Sequence, residues 1–263
     1  MLRLADSWVW DSWYIDHAET HHMFFLRASR ALADPDRRHL RAFVGHAVST
    51  DYSNWTLVPD ALVPSDTPAW DDQAIWTGCT VPAPDGTWRL FYTGISQADG
   101  TAIQRIGVAE SADLTTWTRR CNQPILEADP RWYEATPTPE WGEVAWRDPW
   151  VLPDSDGNGW HMLITARANT GQPADRGVVG HAWSPDLDHW TVRPPLSTPA
   201  GFGQLEVQQV TRIDGHWKLL FSCMAPQLGT TRRNQLHRTS DVYLADAGTP
   251  LGPFHIDQAT SLN

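Results

Sequence analysis

The sequence predicts an all-β fold of the β-propeller class, on two observations. One phrase recurs three times along the chain, and three Asp-Gly turns recur, each followed by a tryptophan and an apolar strand. The phrase occupies 49–56, 111–118 and 184–191. It keeps a serine (Ser49, Ser111, Ser184), an aspartate two residues on (Asp51, Asp113, Asp186) and a closing Trp-Thr pair at Trp55, Trp117 and Trp190. The turns are Asp85-Gly86, Asp156-Gly157 and Asp214-Gly215. Glycine accepts the positive φ that a tight hairpin demands.

Each module reads as strand, turn, strand, loop and strand, with the Trp-Thr phrase closing it. The first runs from the segment around Trp10 through a polar turn at 17–20 to His22-Met23-Phe24-Phe25-Leu26, then Gly45-His46-Ala47-Val48. The second has Ile75-Trp76-Thr77-Gly78-Cys79, Trp88-Arg89-Leu90-Phe91-Tyr92 and Gly107-Val108-Ala109-Glu110. The third has Trp146-Arg147-Asp148-Pro149, Trp160-His161-Met162-Leu163-Ile164 and Gly180-His181-Ala182-Trp183. The fourth has Gln204-Leu205-Glu206-Val207-Gln208 and Trp217-Lys218-Leu219-Leu220-Phe221, and ends near Gly252-Pro253-Phe254. No helical periodicity of useful length interrupts them, and proline and glycine punctuate throughout.

In a propeller the first strand of every blade lines a central channel. Counting back equally from the glycine of each turn reaches Thr77, Asp148 and Glu206, and the same count from Thr20 reaches Asp11. Carboxylic acids fill three of these positions, so the register predicts that Asp11, Asp148 and Glu206 converge. Such a cluster can bind a metal, form a buried charge network or cleave a glycosidic bond, which needs one carboxylate and one carboxylic acid. Taken singly, Asp11 reads as a turn aspartate, Asp148 as the partner of Arg147, and Glu206 as an outward strand residue. The metal reading is weak: Asp154-Ser155-Asp156-Gly157-Asn158-Gly159 opens like a calcium loop, lacks its closing glutamate and already serves as a hairpin. No metal and no cofactor is expected.

Composition narrows the partners. The chain has 263 residues, with 20 basic and 31 acidic side chains and a formal charge of −11, which repels phosphate backbones and anionic membrane surfaces. Nucleic acid and membrane are therefore not expected as partners. The first residues lack the apolar stretch of a signal peptide, so the expected location is the cytoplasm. Three scattered cysteines, Cys79, Cys121 and Cys223, form no zinc spacing and read as reduced packing residues. Sixteen tryptophans exceed what a core of this size needs. Their flat apolar faces suit stacking on sugars, although those inside repeats read as packing residues.

These residues resemble the β-fructosidase and fructosyltransferase clan, glycoside hydrolase families 32 and 68. Trp10-Asp11-Ser12-Trp13 resembles the nucleophile segment of family 68, and Trp146-Arg147-Asp148-Pro149 the Arg-Asp-Pro motif of both families. Ile75-Trp76-Thr77-Gly78-Cys79 is similar to the Trp-Ser-Gly-Ser stretch, and Gly45-His46-Ala47-Val48-Ser49 to a Gly-His-Ala-Val-Ser segment of family 32. The resemblance implies a five-bladed propeller, of which four modules are readable. Residues 1–263 would then form one catalytic propeller domain, with a fifth blade beyond them or a smaller propeller.

It also implies a retaining double displacement on β-fructofuranosides, ending in hydrolysis or transfer. Asp11 would be the nucleophile, Glu206 the acid/base and Asp148 the transition-state stabiliser, with Trp10, Trp76, Thr77, Arg147 and Gln204 binding substrate. Two other readings stay open at this point. One is an inverting arabinan- or xylan-acting propeller glycosidase resembling family 43. The other is a noncatalytic carbohydrate-binding propeller.

Overall fold

The computed structural model describes residues 2–235 and 240–262. Among them, strands form four antiparallel sheets in chain order, each beginning as a four-strand meander. The sheets are the blades of a β-propeller, as the repeats predict. Blade one holds β1 (Ser7–His17), β2 (Thr20–Ser29), β3 (Phe43–Ser49) and β4 (Thr56–Leu62). Blade two holds β5 (Ala74–Pro82), β6 (Trp88–Ile95), β7 (Gln104–Ser111) and β8 (Thr118–Arg119). Blade three holds β9 (Trp146–Pro153), β10 (Trp160–Arg167), β11 (Gly177–Ser184) and β12 (Thr191–Arg193). Blade four holds β13 (Glu206–Ile213), β14 (His216–Cys223), β15 (Asp241–Thr249) and β16 (Gly252–Phe254), and β17 (Thr260–Ser261) also pairs with β15.

The chain divides into two compact units, Met1–Leu126 and Glu127–Asn263, each holding two blades. In the first, Trp13, Phe24, Leu26 and Val44 of blade one share a core with Ile75, Leu90, Tyr92 and Ala109 of blade two. In the second, Leu163 and Val179 of blade three pack with Val210, Leu219, Phe221 and Tyr243 of blade four. The alternation of the sequence explains this pairing. On β2, Phe24 and Leu26 point to the inter-blade core, while Met23 and Phe25 face the other way and pack with Leu2, Leu4 and Trp55.

The recurring phrase is a self-contained loop joining the third and fourth strands of blades one to three. Asp51 Oδ1 accepts from the Ser49 hydroxyl and from the backbone N–H of Ser53 and Asn54. Asp113 and Asp186 do the same in their copies. These donors hold the Asp51 and Asp113 carboxyls below the usual carboxylate range; at Asp186 burial is the largest single influence and pushes the other way, but the hydrogen bonds from His189, Asp188 and Ser184 together outweigh it. The following residue takes positive φ (Tyr52, Leu114, Leu187), which turns its carbonyl onto the indole N–H of Trp55, Trp117 or Trp190. These tryptophans thus close loops, as the repeat position suggests.

Candidate active site

Every first strand carries a β-bulge near its start. A bulge adds one residue to one strand of a pair, and that residue is re-aimed out of the regular alternation. In β1 the register breaks between Trp10 and Ser12, leaving Asp11 as the extra residue. In β5 it breaks between Trp76 and Gly78, leaving Thr77. In β9 the stretch Asp148-Pro149 faces the single residue Ile164, and in β13 Val207-Gln208 faces the single residue Phe221. Asp11 (φ 41°), Asp148 (φ 54°) and Val207 (φ 52°) are the described non-glycine residues inside strands that take positive φ. That conformation costs about 1–3 kcal/mol and persists where the surroundings enforce it.

This geometry corrects one part of the expected register. Asp11, Thr77 and Asp148 are equivalent, but their counterpart in blade four is Val207. Glu206 pairs with Ser222 one residue earlier, at the position of Arg147, Trp10 and Trp76. The count failed because the hairpins differ in length. Ile213 pairs with His216 around a two-residue Asp214-Gly215 turn, whereas Pro153 pairs with Trp160, placing Gly157 deep in a longer loop.

In the first unit the Thr77 hydroxyl donates to Asp11 Oδ2 at 2.7 Å. Thr77 is itself buried, and its carbonyl accepts from the Thr93 hydroxyl at 3.1 Å. Beside them, the half-buried Trp76 donates its indole N–H to the His39 carbonyl at 2.7 Å, and Trp10 meets the His39 ring edge-on. Asp11, Thr77, Trp10 and Trp76 therefore belong to one locality, as expected.

In the second unit Asp148 is 5% exposed. Its Oδ2 accepts from the Thr165 hydroxyl at 2.9 Å and the Val207 N–H at 3.1 Å, and lies 3.5 Å from Arg147 Nε. Arg147, 6% exposed, spreads its fork over two glutamates: Nη2 donates to Glu206 Oε1 at 2.6 Å and Nη1 to Glu143 Oε1 at 3.1 Å. Burial works against the guanidinium's charge, but Glu143, Glu206 and Asp148 more than offset it and raise its pKa. The buried Gln204 donates to the same Glu206 Oε1 at 3.0 Å. Both donors thus hold one oxygen of Glu206, and no hydrogen bond reaches Oε2 from the described residues of this unit. The structure brings Asp148, Glu206, Arg147 and Gln204 together.

Several supporting residues carry no repeat signal and escaped sequence reasoning. The fully buried Arg167 donates to the Gly203 carbonyl, ahead of Gln204, and forms an ion pair with Glu134 Oε2, both at 2.5 Å. Glu134 also accepts from Arg176 at 2.6 Å, and the Arg167 guanidinium lies 3.7 Å from the Trp141 ring centre. This network fixes the segment leading into Glu206. The remaining neighbour is the Cys223 thiol, which burial, reinforced by the Glu206 charge, pushes up to about 12, so it is neutral at ordinary pH.

Residues 12–246 match the family model described as the glycosyl hydrolases family 32 N-terminal domain; Asp11 falls one residue before the match. An acid β-fructofuranosidase from a Rosa hybrid cultivar is 31% identical over 134 residues, covering 48% of this chain and 20% of that protein. Fructan 1-exohydrolase w3 of Triticum aestivum is 32% identical over 131 residues, again 48% and 20%. These matches span about a fifth of each relative's length.

Among solved structures, an inulosucrase from Halalkalicoccus jeotgali bound to kestose aligns with a TM-score of 0.74 at 21% identity, covering 95% of this chain and 67% of that one. A Bombyx mori family 32 β-fructofuranosidase aligns at 0.73 and 18% identity, covering 98% and 50%. At those identities the structural likeness establishes the fold.

Proposed function

Because the chain belongs to glycosyl hydrolase family 32, we propose that it acts on β-fructofuranosides by a retaining double displacement. Asp11 attacks the anomeric carbon of the fructosyl unit as the bond to the leaving oxygen breaks, and Glu206 gives that oxygen its proton. The resulting fructosyl ester on Asp11 is then attacked by water or by a sugar hydroxyl, whose proton returns to Glu206. Asp148 accepts hydrogen bonds from the fructosyl hydroxyls, and Arg147 and Gln204 hold Glu206 in place. Trp10, Trp76 and Thr77 bound the fructosyl subsite.

The observation that carries this reading is the strained bulge aspartate. In each unit it lies near the start of the first strand of the first blade and is tied to the bulge residue of the next blade, Asp11 to Thr77 and Asp148 to Val207. Backbone strain held by such ties places a carboxylate for chemistry at a cost in stability. The inulosucrase and β-fructofuranosidase neighbours, with the fructan exohydrolase relative, support both outcomes, transfer and hydrolysis.

The test is incubation with sucrose, inulin and levan oligosaccharides, following free fructose and longer products, with Asp11→Ala as control. Turnover with retained anomeric configuration, abolished in the variant, is expected. An inverted product, or turnover on arabino-oligosaccharides alone, would overturn the proposal.

A further inference from the structure

Resting on that reading, we propose that Glu143 is a positioning residue: by taking one arm of Arg147, it sets the pH above which Glu206 no longer delivers its proton. Glu143 is not one of the residues that contact the sugar in this scheme. It lies in the bend before β9, in the segment where Trp141 pairs with Thr138 and where Val144 and Ala145 are buried at 1%. Its side chain is 32% exposed, and its Oε1 meets Arg147 Nη1 at 3.1 Å.

A guanidinium facing a single carboxylate binds it with both arms, and a carboxylate held that way gives up its proton readily. Here the fork is split. One arm goes to Glu206 at 2.6 Å, one to Glu143 at 3.1 Å, and Nε lies 3.5 Å from Asp148. The positive charge that would favour ionised Glu206 is shared with two other anions. In the proposed role Glu206 has to carry a proton next to this arginine. That proton belongs on Oε2, because Arg147 and Gln204 both donate to Oε1.

Among the described residues of the unit, the other titratable groups beside Glu206 are Asp148 on β9 and Cys223 on β14. Asp148 meets the same guanidinium at Nε rather than at the arm that Glu143 takes, and the Cys223 thiol, pushed up by burial, is neutral over the relevant range. Glu143 is thus the charge that can be altered while leaving the residues assigned to chemistry in place.

The experiment compares kcat/KM against pH for the wild type and Glu143→Gln on a β-fructoside. Glutamine keeps the hydrogen-bonding oxygen and removes the charge. The expected result is an alkaline limb moved to lower pH by about half to one unit, with KM at the acid plateau unchanged. An alkaline limb left in place overturns the inference, and so does a shift to higher pH.

Should Glu143→Gln fail to fold, Glu143→Asp is measured in the same way. It draws the charge back from Nη1, so a smaller shift in the same direction supports the inference and none overturns it. A wild type inert toward β-fructosides overturns the proposed function and this inference together; an active wild type with an unmoved limb overturns this inference alone.

Discussion

The two units are built on one plan and differ in what the plan presents. Each opens with a blade whose first strand bulges at an aspartate, Asp11 or Asp148, and each ties that aspartate to the bulge residue of its second blade. The first blade of each also holds a hydrogen-bonded histidine pair between its second and third strands, His22 with His46 at 3.0 Å and His161 with His181 at 2.9 Å. One residue before the bulges, the units part. The first unit has Trp10 and Trp76, the second Arg147 and Glu206. The same pair of positions offers flat apolar surface in one unit and a charge-assisted hydrogen bond in the other. A common frame therefore carries different side chains at equivalent positions, and the proposed function gives substrate contact to one half and proton transfer to the other.

The sharpest way to break that division is to remove one residue from each pair. Glu206→Ala should lower kcat by about 10²- to 10⁴-fold on a substrate whose leaving group needs a proton. Trp76→Ala should act mainly on KM, by about tenfold, through lost stacking area. Equal losses of kcat in the two variants would mean that the units do not divide the work in this way.

The shared histidine pairs give a test of the common frame. Burial, reinforced by the neighbouring His22, pushes His46 down to about 4. Burial, reinforced by His161, pushes His181 down to about 4 as well. An unfolded histidine takes up its proton near pH 6.5, so the unfolded chain binds more protons between those values. Stability is then fully present above about pH 6.5 and is lost as pH falls toward 4, by roughly 3 kcal/mol for each of His46 and His181. His46→Gln and His181→Gln should each flatten part of this loss in urea titrations at pH 5 and 7. A wild-type midpoint that does not change with pH would remove the pairs as a source of acid lability.

Smaller effects separate charge from geometry at the bulges. Asp148→Asn should keep the fold, because asparagine tolerates positive φ and its oxygen still accepts from Thr165 and Val207, while turnover falls. Asp148→Ala should cost about 1–3 kcal/mol in stability, because the Val207 N–H loses its acceptor while the Thr165 hydroxyl keeps the Leu205 carbonyl at 2.8 Å. Thr77→Val and Thr165→Val should each cost about 1 kcal/mol, read as a denaturation midpoint. If Thr77→Val proved harmless to both stability and turnover, the tie between Asp11 and the second blade would have no energetic content.

Much of this was legible because repeats expose equivalence. The Asp-Gly turns, the Trp-Thr loops and the acids at Asp11 and Asp148 could be read from spacing, since strand alternation and turn chemistry act over a few residues. Glu206 was found, but at a register one residue off, because spacing cannot tell a two-residue turn from a longer loop that carries its glycine elsewhere. Glu143, Glu134 and Arg167 were not legible. They act through contacts between distant segments, Arg167 reaching the carbonyl of Gly203 and Arg147 reaching Glu206, and no local pattern marks such partners.

The Asp-centred loops bear on how the chain first organises. In each, a serine, an aspartate and a tryptophan close their hydrogen bonds within a handful of residues. Loops of that size close in well under a microsecond, and the entropy they cost is small beside that of joining distant strands. Three such knots spaced along the chain give blades one to three a local starting point for their outer hairpins. The costly, long-range steps that remain are then those that bring two finished sheets face to face.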